Sequence, residues 1–196
     1  MQVVKNMLTS DSNKGPYMKS FFVLLISIVL FGCGESLPDA PGTSKSNEAA
    51  VAAIEKLGGD VTFDAKSGEV VNVDLDNAWM LTDAGLLHLK EMTSLRALLL
   101  VNTRITDVGL EHLKGMASLR GLGVKNTQIT DAGLEHLKDL TSLPTLDLAR
   151  TQITDAGLEH LKGMTSLRDL RLSGTQITDA GLSDIKAALP NCKVSK

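Results

Sequence analysis

Aromatic residues are scarce in this sequence, and other groups that would mark a function are scarce as well. Phenylalanine, tyrosine and tryptophan make up 3% of the 196 residues, while hydrophobic residues as a whole make up 43%. The core must therefore be built from aliphatic side chains. The formal net charge is −3 at pH 7, which gives no reason to expect the basic surface that binds nucleic acid. We predict one domain with additional segments and no nucleic-acid partner.

Motifs of the common enzyme classes are also absent from the chain. There is no HExxH zinc motif, no GK[ST] phosphate loop and no GxSxG nucleophile motif. Gly121-Leu-Gly123 begins like a dinucleotide-binding motif, but Asn126 stands where the third glycine belongs. The sequence therefore predicts a protein that is not an enzyme and that holds no cofactor.

Only two cysteines are present, Cys33 and Cys192. Cys33 follows Phe21–Phe31, an uncharged apolar run far shorter than the roughly 20 residues of a membrane-spanning helix. A short apolar run that follows lysines and precedes small residues is typical of a secretory signal. The sequence Leu30-Phe-Gly-Cys33 resembles the bacterial lipobox, in which the cysteine is lipidated. An ordinary signal peptide with an unrelated cysteine is the alternative.

The lipobox divides the first part of the chain into segments. We predict a signal peptide over residues 1–32 and a lipidated Cys33 that begins a flexible tether over residues 33–47. Met18 would itself begin a suitable signal sequence, so a translation start at Met1 or at Met18 is left open. A lipidated Cys33 leaves Cys192 without an intramolecular partner, and we expect Cys192 to have a structural role. The protein is expected at the cell membrane or outer membrane, facing the periplasm or the exterior.

A short segment over residues 48–69 separates the tether from the rest of the chain. Glu48–Leu57 has helical spacing and is followed by two glycines, which favour the end of a helix. Val61–Phe63 and Val70–Leu75 are predicted to form two short strands around a turn at Ser67-Gly68. We expect this helix and hairpin to cover the open end of the following segment.

The remaining residues, 70–196, contain an internal repeat with a period of 24 residues. The period is visible in one aliphatic position, which is occupied by Leu81, Ile105, Ile129, Ile153 and Ile177. Each unit contains the pattern L-x-x-L-x-L-x-x-T, whose alternating apolar residues predict a short strand with one buried face. Its threonine hydroxyl is expected to bond the backbone of the turn.

The clearest unit also predicts a short helix. Residues 155–162 read DAGLEHLK, and Leu158 and Leu161 are three positions apart, so both can point inward. Either Thr154 or Asp155 would cap the start of this helix. Because neither the strand nor the helix can bury its apolar side alone, neighbouring units must stack. We predict an α/β solenoid of about five repeats, with short parallel strands on the concave face and short helices on the convex face.

This repeat resembles the leucine-rich repeats of the ribonuclease-inhibitor-like type. The ITDAGL signature is similar to that of the cysteine-containing subfamily found in F-box adaptors and in bacterial repeat proteins. Together with the lipobox, the chain resembles bacterial leucine-rich-repeat lipoproteins. No F-box precedes the repeats, so an adaptor role is implied by the resemblance only.

Two columns of polar residues recur in the predicted helices. The four histidines are interpreted as surface residues on the flanks of successive helices, roughly 8–10 Å apart, whereas one zinc ion needs nitrogen atoms about 2.0–2.1 Å away. We therefore predict no metal site at His88, His112, His136 and His160. The aspartates are interpreted as helix caps; they are Asp83, Asp107, Asp131, Asp155 and Asp179.

The residues that flank the buried leucines of each strand are predicted to form the concave face, because strand side chains alternate. Leu99 and Val101 would form an exposed apolar step beside two glycines that leave the backbone bare. Trp79, the only tryptophan, is expected to pack under the N-terminal hairpin. The predicted partner-binding residues are Asp74, Asp76, Leu99, Val101, Gly121, Gly123, Lys125, Asp147 and Arg171.

These observations predict a non-enzymatic, membrane-anchored, monomeric module. Its partner would be a protein or another macromolecule of the cell envelope, bound through the concave face, because solenoids offer an extended concave surface. A structural scaffold of the envelope without a specific ligand is the alternative.

Overall fold

The structure, a computed structural model, describes residues 45–196. The predicted signal peptide, the lipobox with Cys33 and most of the tether lie outside these residues. The described part begins with helix α1 (Lys45–Lys56), followed by the antiparallel pair β1 (Asp60–Phe63) and β2 (Val70–Asp74). The predicted N-terminal helix and hairpin are present, but the helix begins at Lys45 rather than at Glu48, so the end of the predicted tether is helical.

One sheet of seven strands runs through the described part of the chain in sequence order. Every pair from β2 onward is parallel, and each residue is paired with its equivalent in the next repeat. A parallel neighbour can be reached only by a crossover connection, and each repeat provides one through its helix. The strands that follow β2 are β3 (Ala97–Leu99), β4 (Gly121–Gly123), β5 (Thr145–Asp147), β6 (Asp169–Arg171) and β7 (Lys193–Ser195).

The crossover segments are short helices that pack beside one another. The first repeat has a 3-10 helix (Asp83–Leu89), and the fourth has one turn of α-helix that continues as a 3-10 turn (Glu159–Leu161). The predicted helix over residues 155–162 is thus confirmed in place, with a tighter second half. The α-helices are α2 (Asp107–Glu111), α3 (Asp131–Glu135), α4 (Asp155–Leu158) and α5 (Asp179–Ala188).

The core is one continuous aliphatic column between the strands and the helices. Leu158 and Leu161 are buried as predicted, and so are the strand leucines Leu146 and Leu148. Each such side chain stabilises the fold by about 1.5–3 kcal/mol through its removal from water. Because every repeat adds equivalent leucines to the same column, the predicted solenoid of parallel strands and short helices is confirmed. Within residues 45–196, no helix is long and apolar enough to cross a bilayer.

Trp79 does not pack under the N-terminal hairpin, so that prediction was wrong. The side chain is 67% exposed, and that of Met80 beside it is 64% exposed. The inward positions of this turn are occupied by Ala78 and Leu81, which are both buried. Because the first repeat has one residue more than the others between strand and helix, the turn accommodates it by directing Trp79 outward.

Candidate functional site

The strand register aligns the predicted partner-binding residues in rows across the concave face. The middle row lies at the ends of the strands and contains the equivalent positions Asp74, Leu99, Gly123, Asp147 and Arg171. A second row, two residues earlier, contains Asn72, Ala97, Gly121, Thr145 and Asp169. A third row follows two residues later, with Asp76, Val101, Lys125, Ala149 and Ser173. The structure thus brings all nine residues onto one face of the sheet.

The N-terminal end of this face carries two aspartates that are fixed by backbone groups. The Asp76 N–H donates to Asp74 Oδ1 over 2.9 Å, and the Val101 N–H donates to Asp76 Oδ1 over 2.8 Å. Burial raises the pKa of Asp76 to about 6, and the charges of Asp74 and Asp147 act in the same direction. The Val101 N–H and the Lys125 ammonium oppose this shift. The Val101 N–H therefore fixes the position of the Asp76 carboxylate without supplying a positive charge to balance it.

The middle of the face has little side-chain volume. Gly121 and Gly123 form the outward positions of β4, and Lys125 follows two residues later, half-buried. Leu99 was expected to be an exposed apolar step, but its side chain is only 4% exposed, whereas Val101 is half-buried. Apolar contact area in this region is therefore offered by Val101 rather than by Leu99, next to the two buried glycines of β4.

The C-terminal end of the face is internally paired. Arg171 Nη1 lies 3.6 Å from Asp147 Oδ2, and Arg171 Nη2 lies 3.6 Å from Asp169 Oδ2. Asp147 Oδ1 also accepts from the Ala149 N–H over 3.0 Å. The two ends therefore differ, because the carboxylates near Arg171 have a cation beside them, whereas Asp74 and Asp76 have backbone amides.

A second set of polar residues joins the helices to one another. Asp131 accepts from both the backbone N–H of Thr154, over 2.8 Å, and the Thr154 hydroxyl, over 2.6 Å. The same pair of bonds connects Asp83 with Thr106, Asp107 with Thr130 and Asp155 with Thr178. Each aspartate thus binds the first turn of the next repeat, and we call this pair of bonds the Asp–Thr staple.

This geometry corrects the interpretation of the aspartate column as helix caps. The capping residue is the threonine: Thr154 accepts from the Ala156 N–H, and Thr178 accepts from the Gly181 N–H. The aspartate is the first residue inside its own helix, and its carboxylate is directed at the neighbouring repeat. Its role is therefore to hold two repeats together, because one carboxylate satisfies a backbone N–H and a hydroxyl of the next unit.

The glycine of the ITDAGL signature leaves room for this staple. A Cβ atom on Gly157 would lie under 3.0 Å from Asp131 Oδ1, and Gly109, Gly133 and Gly181 meet the aspartate of the preceding repeat in the same way, whereas Gly85 in the first repeat does not. The sequence contains a signal for this arrangement that we did not use, since Asp and Gly recur together two positions apart in every repeat.

The turns that follow the strands carry two further polar columns. The predicted threonine bonds are confirmed, because the hydroxyls of Thr103, Thr127, Thr151 and Thr175 each donate to the carbonyl three residues earlier.

The residue before each threonine has a left-handed backbone, with φ between 55° and 75° from Asn102 to Gly174. The Asn102 amide donates to Asn77 Oδ1 over 2.8 Å, and the Asn126 amide donates to Asn102 Oδ1 over 2.7 Å. Sequence reasoning missed this asparagine ladder, although Asn and Gly at one position indicate a positive φ.

The histidine row lies on the helix side, away from the concave face. His88 is exposed and His112, His136 and His160 are half-buried, each beside an inward leucine. The Nδ1 atom of His136 is buried without a hydrogen-bond partner among the residues described. In residues 45–196, no group of three or more His, Cys, Asp or Glu side chains is placed to hold a metal ion.

Cys192 packs against the last part of the core. Its side chain is half-buried, and burial raises the pKa of the thiol above its usual value. A thiol that is held protonated is a poor nucleophile, so this environment supports the structural role expected for Cys192.

Comparison with known proteins identifies the repeat. The leucine-rich repeat family model matches residues 93–153 and, in a second overlapping match, residues 117–177. No curated protein sequence matches the chain.

Several solved structures are similar to this chain. An internalin from Listeria monocytogenes is 28% identical, with a TM-score of 0.49, and the match covers 56% of this chain and 30% of the internalin. The actin-binding site 2 of leiomodin-1 is 17% identical, with a TM-score of 0.52, over 76% of this chain and 90% of that one. The ectodomain of the receptor kinase SOBIR1 from Arabidopsis thaliana is 15% identical, with a TM-score of 0.45, over 79% and 93%. This chain contains leucine-rich repeats and folds as an open leucine-rich-repeat solenoid.

Proposed function

We propose that this protein is a lipid-anchored module of the bacterial cell envelope that binds a protein partner through its concave face. The observation that supports this proposal is the register of the sheet, which aligns charged residues at both ends of a face to which the middle strand β4 contributes only glycines. Leucine-rich-repeat proteins commonly serve as interaction modules, and a repeat solenoid presents such a face to one large ligand. The protein acts as a monomer and performs no catalysis.

The charges on this face indicate which part of a partner each end receives. Asp74 and Asp76 accept from backbone amides, and the Lys125 charge acts on Asp76 without a salt bridge among the described residues, so both can receive basic groups of the partner. Lys125 stands beside the glycine strand, where the partner backbone can approach closely. Arg171 is already paired with Asp147 and Asp169. This end of the face therefore contributes to binding through its shape more than through its charge.

The anchor supports the proposed location. Cys33 in its lipobox would carry the acyl chains, and the repeats would then face the periplasm or the exterior. We assign the protein on this basis to the leucine-rich-repeat lipoproteins with repeats of the ribonuclease-inhibitor-like type. Intact-mass measurement of the protein from its native membrane tests the anchor directly: an acyl adduct is expected, and Cys33→Ser should abolish it.

The concave face is tested by site-specific photocrosslinking in native membranes. A photoreactive residue at position 101 should give one discrete adduct, whereas the same residue at position 138, on the convex side, should not. Gly123→Arg and Lys125→Glu should each weaken binding of the partner so identified by more than about 1 kcal/mol, while Lys138→Glu should not. A scaffold without a specific ligand would instead give only heterogeneous adducts at both positions.

A further inference from the structure

Four large apolar side chains are exposed in the first two repeats, outside the concave face. They are Trp79, Met80, Leu87 and Val108, with exposures of 67, 64, 53 and 58%, and we call them the apolar patch. Ala84 and Leu87 lie three residues apart in the 3-10 helix and therefore share one face of it. Val108 occupies the position of Ala84 in the neighbouring helix α2, and Trp79 and Met80 lie in the turn that leads into the 3-10 helix.

The repeat itself shows that the fold does not require these side chains. The position of Met80 is occupied in later repeats by Arg104, Gln128, Gln152 and Gln176. The position of Leu87 is occupied by Glu111, Glu135 and Glu159, and that of Val108 is alanine in every other repeat. Polar or small residues thus occupy the equivalent positions in the other repeats, and Trp79 lies at the additional position of the first turn. An apolar surface that the fold does not use marks a site of interaction.

The patch lies at the end of the solenoid from which the lipid anchor would extend. Helix α1 packs against the 3-10 helix and against β1, and it begins at Lys45. Eleven residues, 34–44, separate Cys33 from Lys45, and a chain of that length spans at most about 40 Å. A lipidated Cys33 would therefore connect to the bilayer through the first repeat, within that distance.

We propose that the apolar patch docks on the lipid bilayer and fixes the orientation of the solenoid at the membrane. This inference rests on the lipid anchor proposed above. Tryptophan prefers the boundary between headgroups and acyl chains because its ring is apolar and its N–H is polar. Met80, Leu87 and Val108 would add apolar area beside it, and the exposed Arg104 next to the patch can contact phosphate headgroups. The concave face would then be held at a constant angle to the membrane.

Because Trp79 is the only tryptophan, its fluorescence tests this proposal in the full-length lipidated protein. The protein is reconstituted in phosphatidylglycerol–phosphatidylethanolamine vesicles with or without bromine on the acyl chains. We expect brominated lipids to quench Trp79 at least about twofold and the vesicles to protect it from aqueous acrylamide. The matched control moves the tryptophan to the far end of the array, as Trp79→Gln with Gln176→Trp, and should show acrylamide quenching without quenching by bromine.

A second variant uses residues that the chain itself carries at equivalent positions. Met80→Gln with Leu87→Glu should remove most of the quenching by brominated lipids while leaving thermal unfolding unchanged, because later repeats fold with glutamine and glutamate there. Flotation of the vesicles and intact mass report separately on the anchor. A protein that is acylated and floats but shows no bromine quenching overturns the docking proposal alone, whereas a protein without acyl groups that does not float overturns both.

The remaining outcomes identify other occupants of the patch, and each of them overturns docking on lipid. Protection from acrylamide that requires no vesicles and increases with protein concentration indicates a second copy of the chain. Protection that is independent of both vesicles and concentration indicates a segment of the same chain, such as the tether over residues 34–44.

Discussion

The first repeat and the middle repeats share one frame, but different forces hold their helices. In the middle, Asp131 and Thr154 form a staple between adjacent repeats, and Gly157 leaves space for the carboxylate. In the first repeat, a Cβ atom on Gly85 would meet side chains of Leu81 and Leu57 and no carboxylate. The buried leucines thus define the frame of every unit, whereas the staple is specific to the contact between two repeats.

The largest expected effect comes from filling the space that the staple occupies. Gly157→Ala places a methyl group against Asp131 Oδ1, and the carboxylate must move away from Thr154. We expect a loss of about 2–3 kcal/mol in the free energy of unfolding, from overpacking together with the loss of two hydrogen bonds. Urea unfolding followed by circular dichroism measures it.

Two glycine variants sharpen the comparison. Gly163→Ala, where a Cβ atom has nothing within 4 Å, should leave stability unchanged or raise it by up to about 1 kcal/mol. Gly85→Ala should cost less than Gly157→Ala, because the ends of two leucine side chains can shift more readily than a bonded carboxylate. Equal losses for Gly85→Ala and Gly157→Ala would contradict the distinction between the two regions.

Removal of the carboxylate itself should have the next largest effect. Asp131→Ala leaves the Thr154 N–H and hydroxyl without their acceptor, and we expect a loss of about 2 kcal/mol. Asp179→Ala is the control, because the Asp179 side chain is 99% exposed and accepts only from Lys196 Nζ over 3.3 Å; its effect should stay within about 0.5 kcal/mol. In Asp131→Ala protein, Gly157→Ala should cost less than it does alone, with a coupling of about 1 kcal/mol or more. Strict additivity of the two changes would show that the staple and the glycine act independently.

A smaller loss of stability is expected from changes in the asparagine ladder. The ladder is present in the first repeats and ends before Arg150. Asn102 has φ 58° and bonds both Asn77 and Asn126, whereas Arg150 occupies the same position with φ 56° and continues no ladder. Asn102→Ala should lower the free energy of unfolding by about 1 kcal/mol, mainly because alanine disfavours a positive φ.

Two further variants separate the backbone from the side chain at this position. Asn102→Gly keeps the permitted φ and should cost less than about 0.5 kcal/mol. Arg150→Asn should gain a few tenths of a kcal/mol by extending the ladder from Asn126. Equal losses for Asn102→Gly and Asn102→Ala would instead assign the effect to the amide bonds, which both variants remove.

Sequence reasoning predicted the frame better than the contacts that distinguish one region from another. The 24-residue period and the positions of Leu158 and Leu161 follow from hydrophobic pattern alone, because a buried apolar column needs only the right spacing. The Asp131–Thr154 staple could not be read from one repeat, since it joins residues 23 positions apart in sequence. Trp79 was misplaced because hydrophobicity favours burial, whereas the inward positions of its turn are occupied by Ala78 and Leu81. Strand alternation gave the shared face of the residues that lie in the strands, whereas Asp76, Val101 and Lys125 follow in the turns. Exposure depends on neighbours, and Leu99 proved to be buried; binding of a partner at these residues stays a prediction.

The smallest predicted effect compares the two ends of the concave face. Asp147 has Arg171 beside it, whereas Asp76 is half-buried near Asp74, and burial raises the pKa of Asp76 from 3.8 to about 6. Between these two pKa values the folded protein binds more protons than the unfolded chain. The stability contributed by protonated Asp76 therefore decreases as the pH rises through this range and does not change above it.

Asp76→Asn keeps an acceptor for the Val101 N–H and carries no charge. It should therefore flatten the decline between about pH 4 and pH 6 and raise the free energy of unfolding at pH 7 by less than about 1 kcal/mol, since solvent screens a half-buried group. Urea unfolding at about pH 4, pH 6 and pH 7 measures both effects, with Asp139→Asn on the exposed convex side as the control for loss of one negative charge. Equal pH dependence in the wild type and in Asp76→Asn would show that the N-terminal end of the face is no more strained by its charges than the end that carries Arg171.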